Sequence, residues 1–231
     1  MHDELKRRVC EANLDLQRLG LVVFTWGNVS EMDRERGILA IKPSGVSYDD
    51  LTPESMVLVD LKGDVVEGDL QPSSDTATHL ELYRHFEELG AICHTHSMYA
   101  TMWSQAEREI PCFGTTHADH FYGPVPVTQG MTCREIEGPY EENTGKLIVR
   151  RFADLDPMQM PAVLVANHGP FTWGRTAGEA VENAAVLEQV AQMAYGTIFI
   201  NTHQEGIRQE LLDRHYLRKH GTNAYYGQKG T

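Results

Sequence analysis

The sequence has few positively charged residues and no long Lys/Arg-rich run. Of its 231 residues, 20 are lysine or arginine and 33 are aspartate or glutamate, so the formal net charge is -13. Binding of nucleic acid depends on clustered positive charge, and this composition therefore argues against a nucleic-acid partner. A small anionic ligand remains compatible with it, because a few local hydrogen-bond donors can hold one phosphate group.

Long apolar runs and paired cysteines are also missing. No apolar segment approaches the roughly 18 residues that cross a bilayer, and the first residues form no apolar signal-peptide core. The 4 cysteines are scattered and form no CxxC motif. We therefore expect reduced thiols, no membrane association and a cytoplasmic location.

Short β-type runs alternate with amphipathic segments along the chain. Apolar residues spaced three and four apart predict helices at 5–19, 80–89, 97–106, 176–195 and 211–220. Runs rich in β-formers predict strands at 21–25, 37–42, 56–61, 65–66, 91–96 and 162–166, with a turn at 26–30. With no repeat or linker, residues 1–231 are predicted to form a single three-layer α/β domain, whose central, mainly antiparallel sheet is flanked by helices.

Two histidines in a β-type segment suggest a metal site. His94 and His96 are two residues apart, so both imidazoles point to the same face of a strand and can meet one ion. A catalytic zinc site needs a third protein ligand, and His168, in an Asn-His-Gly-Pro turn after an apolar strand, is the strongest candidate. The alternative for an isolated His-x-His pair is a polar pair across strands. Asp75 is a candidate fourth ligand, although the sequence alone slightly favours a helix cap there.

Three short turns carry small polar residues suited to a phosphate group. They are Gly27-Asn28, Ser44-Gly45 and Ser73-Ser74, and Lys42 lies close to the second. Glycine permits close backbone approach, hydroxyl and amide groups bind phosphate oxygens, and a helix N-terminus follows Ser73-Ser74. Each turn taken alone is more simply explained as an ordinary loop, because these residue types dominate loops for backbone reasons.

Taken together, these stretches resemble one enzyme family. The matching stretches are TWGNVS (25–30), IKPSGV (41–46), PSSDT (72–76), HTHS (94–97), GTTHAD (114–119), NHGPFTWG (167–174), HYLRKHG (215–221) and AYYGQ (224–228). In combination they resemble the class II aldolase family, and within it the epimerase branch that acts on L-ribulose 5-phosphate. The resemblance covers nearly the whole chain.

The resemblance implies a metal-dependent enzyme acting on a small phosphorylated ketopentose. It implies a C4 homotetramer with active sites between adjacent subunits, and zinc, or another divalent ion, on His94, His96 and His168. Aldolases of the family usually carry Glu where this chain has Asp75, so this carboxylate favours an epimerase. The expected reaction interconverts L-ribulose 5-phosphate and D-xylulose 5-phosphate. The alternatives are an aldolase that cleaves a deoxyketose phosphate such as L-fuculose 1-phosphate, and a non-enzymatic interaction module.

The resemblance also implies roles for individual residues. Asp119 and Tyr226 would form an acid/base pair contributed by a neighbouring subunit, and His215 and Arg218 would lie near the phosphate. Without the resemblance, Asp119 would be a solvated loop carboxylate and Tyr226 a frayed terminal aromatic. The residues implied to contact or adjoin the substrate are Gly27, Asn28, Lys42, Ser44, Gly45, Ser73 and Ser74.

Overall fold

The computed structural model describes residues 2–222 and 224–225. Its strands are β1 (Asn28–Asp33), β2 (Ile38–Ile41), β3 (Val57–Asp60), β4 (Val65–Glu67), β5 (Ala91–His94), β6 (Ala162–Leu164) and β7 (Pro170–Gly174). Its α-helices are α1 (Asp3–Arg18), α2 (Thr76–His85), α3 (Met98–Gln105), α4 (Thr115–Ala118), α5 (Cys133–Glu137), α6 (Tyr140–Arg151), α7 (Ala177–Ile200) and α8 (Gln209–His220).

The strands form one sheet in the order β4-β3-β2-β1-β5-β7-β6. Each neighbouring pair in this order is antiparallel, which confirms the prediction of a central antiparallel sheet. Strand β1 lies in the middle, and its register places Asn28 opposite His94 and Ser30 opposite Ile92 of β5. The first of these pairs places a residue from one of the predicted polar turns beside a predicted metal ligand.

Helices cover both faces of the sheet because side chains alternate along each strand. On one face, Val29 and Cys93 pack against α1 and α7. On the opposite face, Ile41 and Ile92 belong to a larger core that contains Tyr83 of α2. The result is the predicted single α/β domain with a helical layer on each side. In the described ranges, no helix combines the length and apolar character that crossing a membrane requires.

The first predicted strand is wrong. Residues 21–25 form an irregular segment and a turn, and β1 begins at Asn28, inside the predicted turn. Leu21 is buried, but Phe24 adopts a positive φ of 54° and is exposed. A short apolar run does not by itself distinguish a strand from a buried loop. Here the run is the loop that connects α1 to β1.

Strand β7 and helices α4, α5 and α6 were not predicted from the sequence. Strand β7 begins at Pro170, within the Asn-His-Gly-Pro segment that was predicted to be a turn, and all its residues are buried. No side chain fits at Gly174, the last residue of β7, because a Cβ there would lie 2.7 Å from the Glu179 side chain. Helix α7 also extends five residues past the predicted end, to Ile200. The other predicted elements are present, with ends that shift by a few residues.

Candidate metal site and substrate cavity

The structure brings the three predicted histidines together. His94 ends β5, His96 follows two residues later, and His168 lies in the turn between β6 and β7. The Nε2 atoms of His94 and His96 are 3.1 Å apart, and the candidate ligand atoms of all three histidines lie within 4.8 Å of one another. Three imidazoles converging in this way match the donor set of a catalytic zinc site.

The β5–β7 pairing holds the His94 imidazole in position. Its Nδ1 lies 2.9 Å from the carbonyl oxygen of Pro170, and its ring stacks on Phe171 with 4.1 Å between ring centroids. Because a carbonyl oxygen only accepts, Nδ1 is the protonated nitrogen, and the lone pair is on Nε2. Metal-binding histidines are commonly oriented in this way by a backbone carbonyl.

A tight turn directs His168 towards the same point. Asn167 has a positive φ of 60°, and the backbone N–H of His168 donates to the Val165 carbonyl oxygen at 3.0 Å. Gly169 is required because a Cβ would lie 2.8 Å from the Thr95 carbonyl oxygen. Among the described residues, the buried Nδ1 of His168 has no hydrogen-bond partner. Such an unpaired nitrogen beside two other imidazoles fits a metal-binding role.

Burial keeps two of these imidazoles neutral. It lowers the pKa of His96 to about 4 and the pKa of His168 to about 3, and the neighbouring His94 contributes to both shifts. At pH 7 both side chains are therefore unprotonated on one nitrogen. A metal ion binds only this form of histidine.

The histidines line a cavity of about 500 Å³ together with the three predicted polar turns. The predicted site residues found in its wall are Gly27, Asn28, Lys42, Ser44, Gly45, Ser73, Ser74, Asp75, His94, His96 and His168. Two of the turns are paired, since the Ser73 N–H donates to the Lys42 carbonyl oxygen at 3.0 Å and the Ser44 N–H donates to Gln71 at 2.9 Å. One cavity therefore contains both the candidate metal ligands and the candidate phosphate-binding turns.

Tyr140 and Glu141, which were not predicted as site residues, also line this cavity. They begin α6, and the hydroxyl of Thr78 on α2 donates to the Glu141 carbonyl oxygen at 2.6 Å. Pro139 before them is a helix-start signal that could have located α6. It would not have shown that the helix points at the histidines, because that follows from the packing of α6 on α2.

Lys42 contributes to the cavity wall from a buried position. Its Nζ donates to the Val46 carbonyl oxygen at 2.9 Å and lies 4.9 Å from the centre of the Tyr48 ring. Burial lowers the pKa of Lys42 to about 8. The ammonium group is therefore held by backbone carbonyls and an aromatic face, unlike a freely projecting surface lysine.

Asp75 does not act as the helix cap that its position suggested. It occupies the residue before α2, but among the described residues its side chain makes no capping bond. Its carboxylate instead accepts a hydrogen bond from the Asn28 side chain at 2.7 Å. Burial raises the pKa of Asp75, but nearby His94 and His79 and the bond from Asn28 outweigh it, so this pKa lies below its usual value. The carboxylate shares the cavity with the histidines but does not belong to their close cluster.

A second cluster contains three more predicted residues. Asp119 follows α4, and its carboxylate accepts hydrogen bonds from Arg218 at 2.7 Å and His215 at 3.0 Å, both on α8. Burial raises the pKa of Asp119, but these two bonds and Lys219 lower it below its usual value. In the described part of the chain, none of the three predicted residues lines the histidine cavity. Tyr226 lies outside the described residues.

Comparison with known proteins identifies the family of this chain. The family model for the class II aldolase and adducin N-terminal domain matches residues 7–195, most of the chain. The chain belongs to the class II aldolase and adducin family. This result confirms the family-level resemblance of the sequence and its fold.

Solved structures of family members are similar along almost the whole chain. An L-fuculose 1-phosphate aldolase has 26% sequence identity and a TM-score of 0.77, over 92% of this chain and 94% of that one. YgbL from Klebsiella pneumoniae has 25% identity and a TM-score of 0.72, over 93% and 98%. L-Fuculose 1-phosphate aldolase from Glaciozyma antarctica PI12, at 21% identity, covers 93% and 81% with a TM-score of 0.76 and supports the fold alone.

Membership of the class II aldolase family agrees with the chemistry of the histidine cluster. Class II aldolases typically depend on a divalent metal ion, usually zinc, and the three clustered histidines could hold one. Two observations in this chain fit such an ion: the carbonyl-oriented imidazole of His94 and the unpaired buried nitrogen of His168. The donor set of three imidazoles is also one that zinc prefers.

Proposed function

We propose that this protein is a metal-dependent epimerase that interconverts L-ribulose 5-phosphate and D-xylulose 5-phosphate. The observation that carries the proposal is the single cavity that joins three clustered histidines, a carboxylate and two paired polar turns. An anionic phosphate needs the turns, and a reaction that develops negative charge needs the metal ligands. Asp75, in place of the Glu that aldolases of the family usually carry, favours epimerisation over aldol cleavage as the net reaction.

The reaction that we propose breaks and remakes one carbon–carbon bond. A base removes the proton of the C4 hydroxyl, the C3–C4 electron pair passes to the dihydroxyacetone fragment as an enediolate, and glycolaldehyde phosphate is formed. The aldehyde rotates, and the enediolate adds to its opposite face, so that C4 is inverted and the new C4 alkoxide takes up a proton from the acid of the acid/base pair. A zinc ion held by His94, His96 and His168 would supply the Lewis acidity that stabilises such negative charge.

The turns of the cavity are suited to hold the phosphate group during this rotation. Ser44 and Ser73 line the cavity, and their hydroxyls would donate hydrogen bonds to phosphate oxygens. Helix α2, of 10 residues, begins at Thr76, two residues after Ser74, and its N-terminus favours an anion. Anchoring the phosphate lets the aldehyde turn without leaving the cavity, which the return reaction requires.

We further propose that the acid/base pair comes from a neighbouring subunit of a homotetramer. The carboxylate of Asp119 belongs to the cluster with His215 and Arg218 and does not line the described cavity of its own chain. If Asp119 acts on the substrate, it acts in the cavity of another copy. Its lowered pKa keeps it ionised, the form in which a carboxylate can take a proton from a hydroxyl. Tyr226 would be its partner on the opposite side of the aldehyde.

One incubation tests the proposed reaction. Purified, zinc-supplemented protein is mixed with L-ribulose 5-phosphate, with and without a chelator, and D-xylulose 5-phosphate is measured. We expect product only without the chelator. The variant His96→Asn should lose bound metal and turnover together, whereas His203→Asn, at an exposed site, should lose neither. Full turnover by a metal-free His96→Asn protein would contradict the assignment of the site.

A second candidate is an aldolase, which the similarity to an L-fuculose 1-phosphate aldolase favours. An aldolase releases its aldehyde product, and a coupled dehydrogenase detects that release. We expect only a trace of free aldehyde, because an epimerase retains and re-adds it. Aldehyde release that exceeds epimerisation on the best substrate would replace the first proposal with this one.

A further inference from the structure

A stripe of polar side chains runs between α2 and β1, beneath the cavity. Asp75, His79 and Tyr83 are spaced four residues apart, so they lie on one side of α2. Asn28 and Ser30 alternate on β1 and face them. Asn28 contacts Asp75 at 2.7 Å, and Ser30 contacts both His79 and Tyr83. This stripe connects a residue of the cavity wall to the protein interior.

Among the described residues, two members of this stripe have a buried polar atom without a hydrogen-bond partner, Asn28 at Oδ1 and His79 at Nε2. The His79 side chain is fully buried, and its Nδ1 lies 2.7 Å from the Ser30 hydroxyl. A histidine that served only the core would be expected to pair both nitrogens, because an unpaired buried polar atom is costly. Burial lowers the pKa of His79 to about 3, and the nearby carboxylate of Asp75 opposes this shift.

The hydroxyl groups around His79 are compatible with a proton on its Nε2. The Tyr83 hydroxyl lies 2.8 Å from the Ser30 hydroxyl oxygen and 3.1 Å from the Ser30 carbonyl oxygen, so one shared hydrogen can serve both acceptors. The Ser30 hydroxyl is then available to donate to Nδ1 of His79. An imidazole that accepts at Nδ1 and carries a single proton has that proton on Nε2.

We propose that His79 is a positioning residue whose Nε2–H donates to the Asp75 carboxylate when the site is loaded. The donors then follow one direction, from Tyr83 through Ser30 and His79 to Asp75. Together with the Asn28 side chain, His79 would fix both oxygens of this carboxylate. Within the described structure the His79 and Asp75 side chains form no hydrogen bond in the free protein, and the unpaired Nε2 of His79 is free to form one on binding.

The tautomer can be measured without any assumption about the reaction. In ¹⁵N-histidine-labelled, zinc-supplemented protein, two-bond ¹H–¹⁵N correlation spectra distinguish a protonated from an unprotonated ring nitrogen. A difference spectrum against His79→Gln assigns the signals among the 11 histidines. We expect His79 to be protonated on Nε2, and Asp75→Asn to shift that signal while Glu87→Gln, an exposed carboxylate of the same region, does not. A proton on Nδ1, or an unmoved signal in Asp75→Asn, would overturn the proposal.

A kinetic test, which rests on the proposed function, compares two variants with amide side chains, His79→Gln and His79→Asn. Glutamine at position 79 can place an N–H near the position of Nε2, whereas asparagine can reach only Ser30. We expect His79→Asn to lower kcat roughly 10-fold more than His79→Gln, with similar KM, as for loss of one hydrogen bond to a charged group. Equal kcat values in two variants of equal thermal stability would refute the positioning role. If the wild-type protein shows no epimerase activity, the proposed function fails and the tautomer measurement alone decides on His79.

Discussion

Asn28 joins the two halves of the cavity by a hydrogen bond to Asp75. The Asn28 Nδ2 atom lies 2.7 Å from the carboxylate, and in the sheet Asn28 is directly opposite His94. The same residue thus belongs to the predicted phosphate-binding turn, contacts the carboxylate and neighbours a metal ligand. Because Asn28 is part of β1, its hydrogen bond fixes the position of the Asp75 carboxylate relative to the sheet as well as to α2.

The variant Asn28→Ala should therefore misplace Asp75. A hydrogen bond to a charged group contributes about 1.5–3 kcal/mol, so we expect kcat/KM to fall roughly 10- to 100-fold. Metal content should remain close to that of the wild type, because the three histidines are intact. The matched control is Asn201→Ala, at the exposed end of α7, which should keep full activity. Unchanged kcat/KM in Asn28→Ala would show that this bond does not orient the carboxylate.

Gly27 is a position where the fold tolerates no side chain. Its φ is +83°, and a Cβ there would lie 2.8 Å from the His94 carbonyl oxygen and 2.9 Å from Val22. We expect Gly27→Ala to lower the free energy of unfolding by more than about 2 kcal/mol, since a steric clash is added to left-handed backbone strain. Gly20→Ala is a matched control, because Gly20 has a φ of +68° and a Cβ added there would have no neighbouring atom within 4 Å.

Urea denaturation of both glycine variants measures the difference. Gly20→Ala should cost about 1 kcal/mol, from backbone strain alone. Equal losses in the two variants would mean that the β1 segment moves to accept the methyl group. In that case the close packing of Gly27 on the His94 backbone would not be needed to hold the histidine cluster.

The sequence predicted most of this architecture where periodicity was strong. Helices α1, α2 and α7 have long amphipathic or apolar patterns, and their existence follows from local spacing. Strand β7 could not be predicted in this way, because Gly169-Pro170 reads as a turn and only pairing with β5 and β6 extends it. Local patterns carry no information about such long-range pairing.

The candidate site shows the same division. The spacing of His94 and His96 indicated that both bind one metal ion, and the composition of the polar turns indicated anion binding. Both are local properties of the sequence. The use of Asp75 as the partner of Asn28 was not predictable, because capping is the default for a carboxylate before a helix. The grouping of Asp119 with Arg218 likewise depends on the packing of α4 against α8, at opposite ends of a long stretch of chain.

Lys42 should make stability depend on pH in the alkaline range. Burial lowers its pKa to about 8 in the folded protein, whereas an unfolded lysine has a pKa of about 10.4. Between these two values the unfolded chain binds more protons than the folded one, so the free energy of unfolding gains a contribution that rises with pH. Below pH 8 both states are protonated, and the cost of burying the charge is present in full.

Comparison with Lys42→Met isolates this contribution. We expect the wild type to gain stability relative to Lys42→Met between about pH 7.5 and pH 9.5, measured by urea denaturation at both pH values. Lys62→Met, at an exposed lysine, should track the wild type at both. A constant difference between wild type and Lys42→Met across this range would show that Lys42 titrates normally, and that its ammonium group is solvated.

Shared active sites can be tested by mixing two inactive variants. His96→Asn removes a metal ligand and Asp119→Asn removes the proposed base, so each homo-oligomer should be inactive. If each site takes its histidines from one chain and Asp119 from the next, random co-assembly restores about one quarter of the sites, because half the chains carry each intact part. Unfolding and refolding the two variants together, then assaying epimerisation, measures this recovery. If both residues act within one chain, no mixture recovers activity, since no chain then carries a complete site.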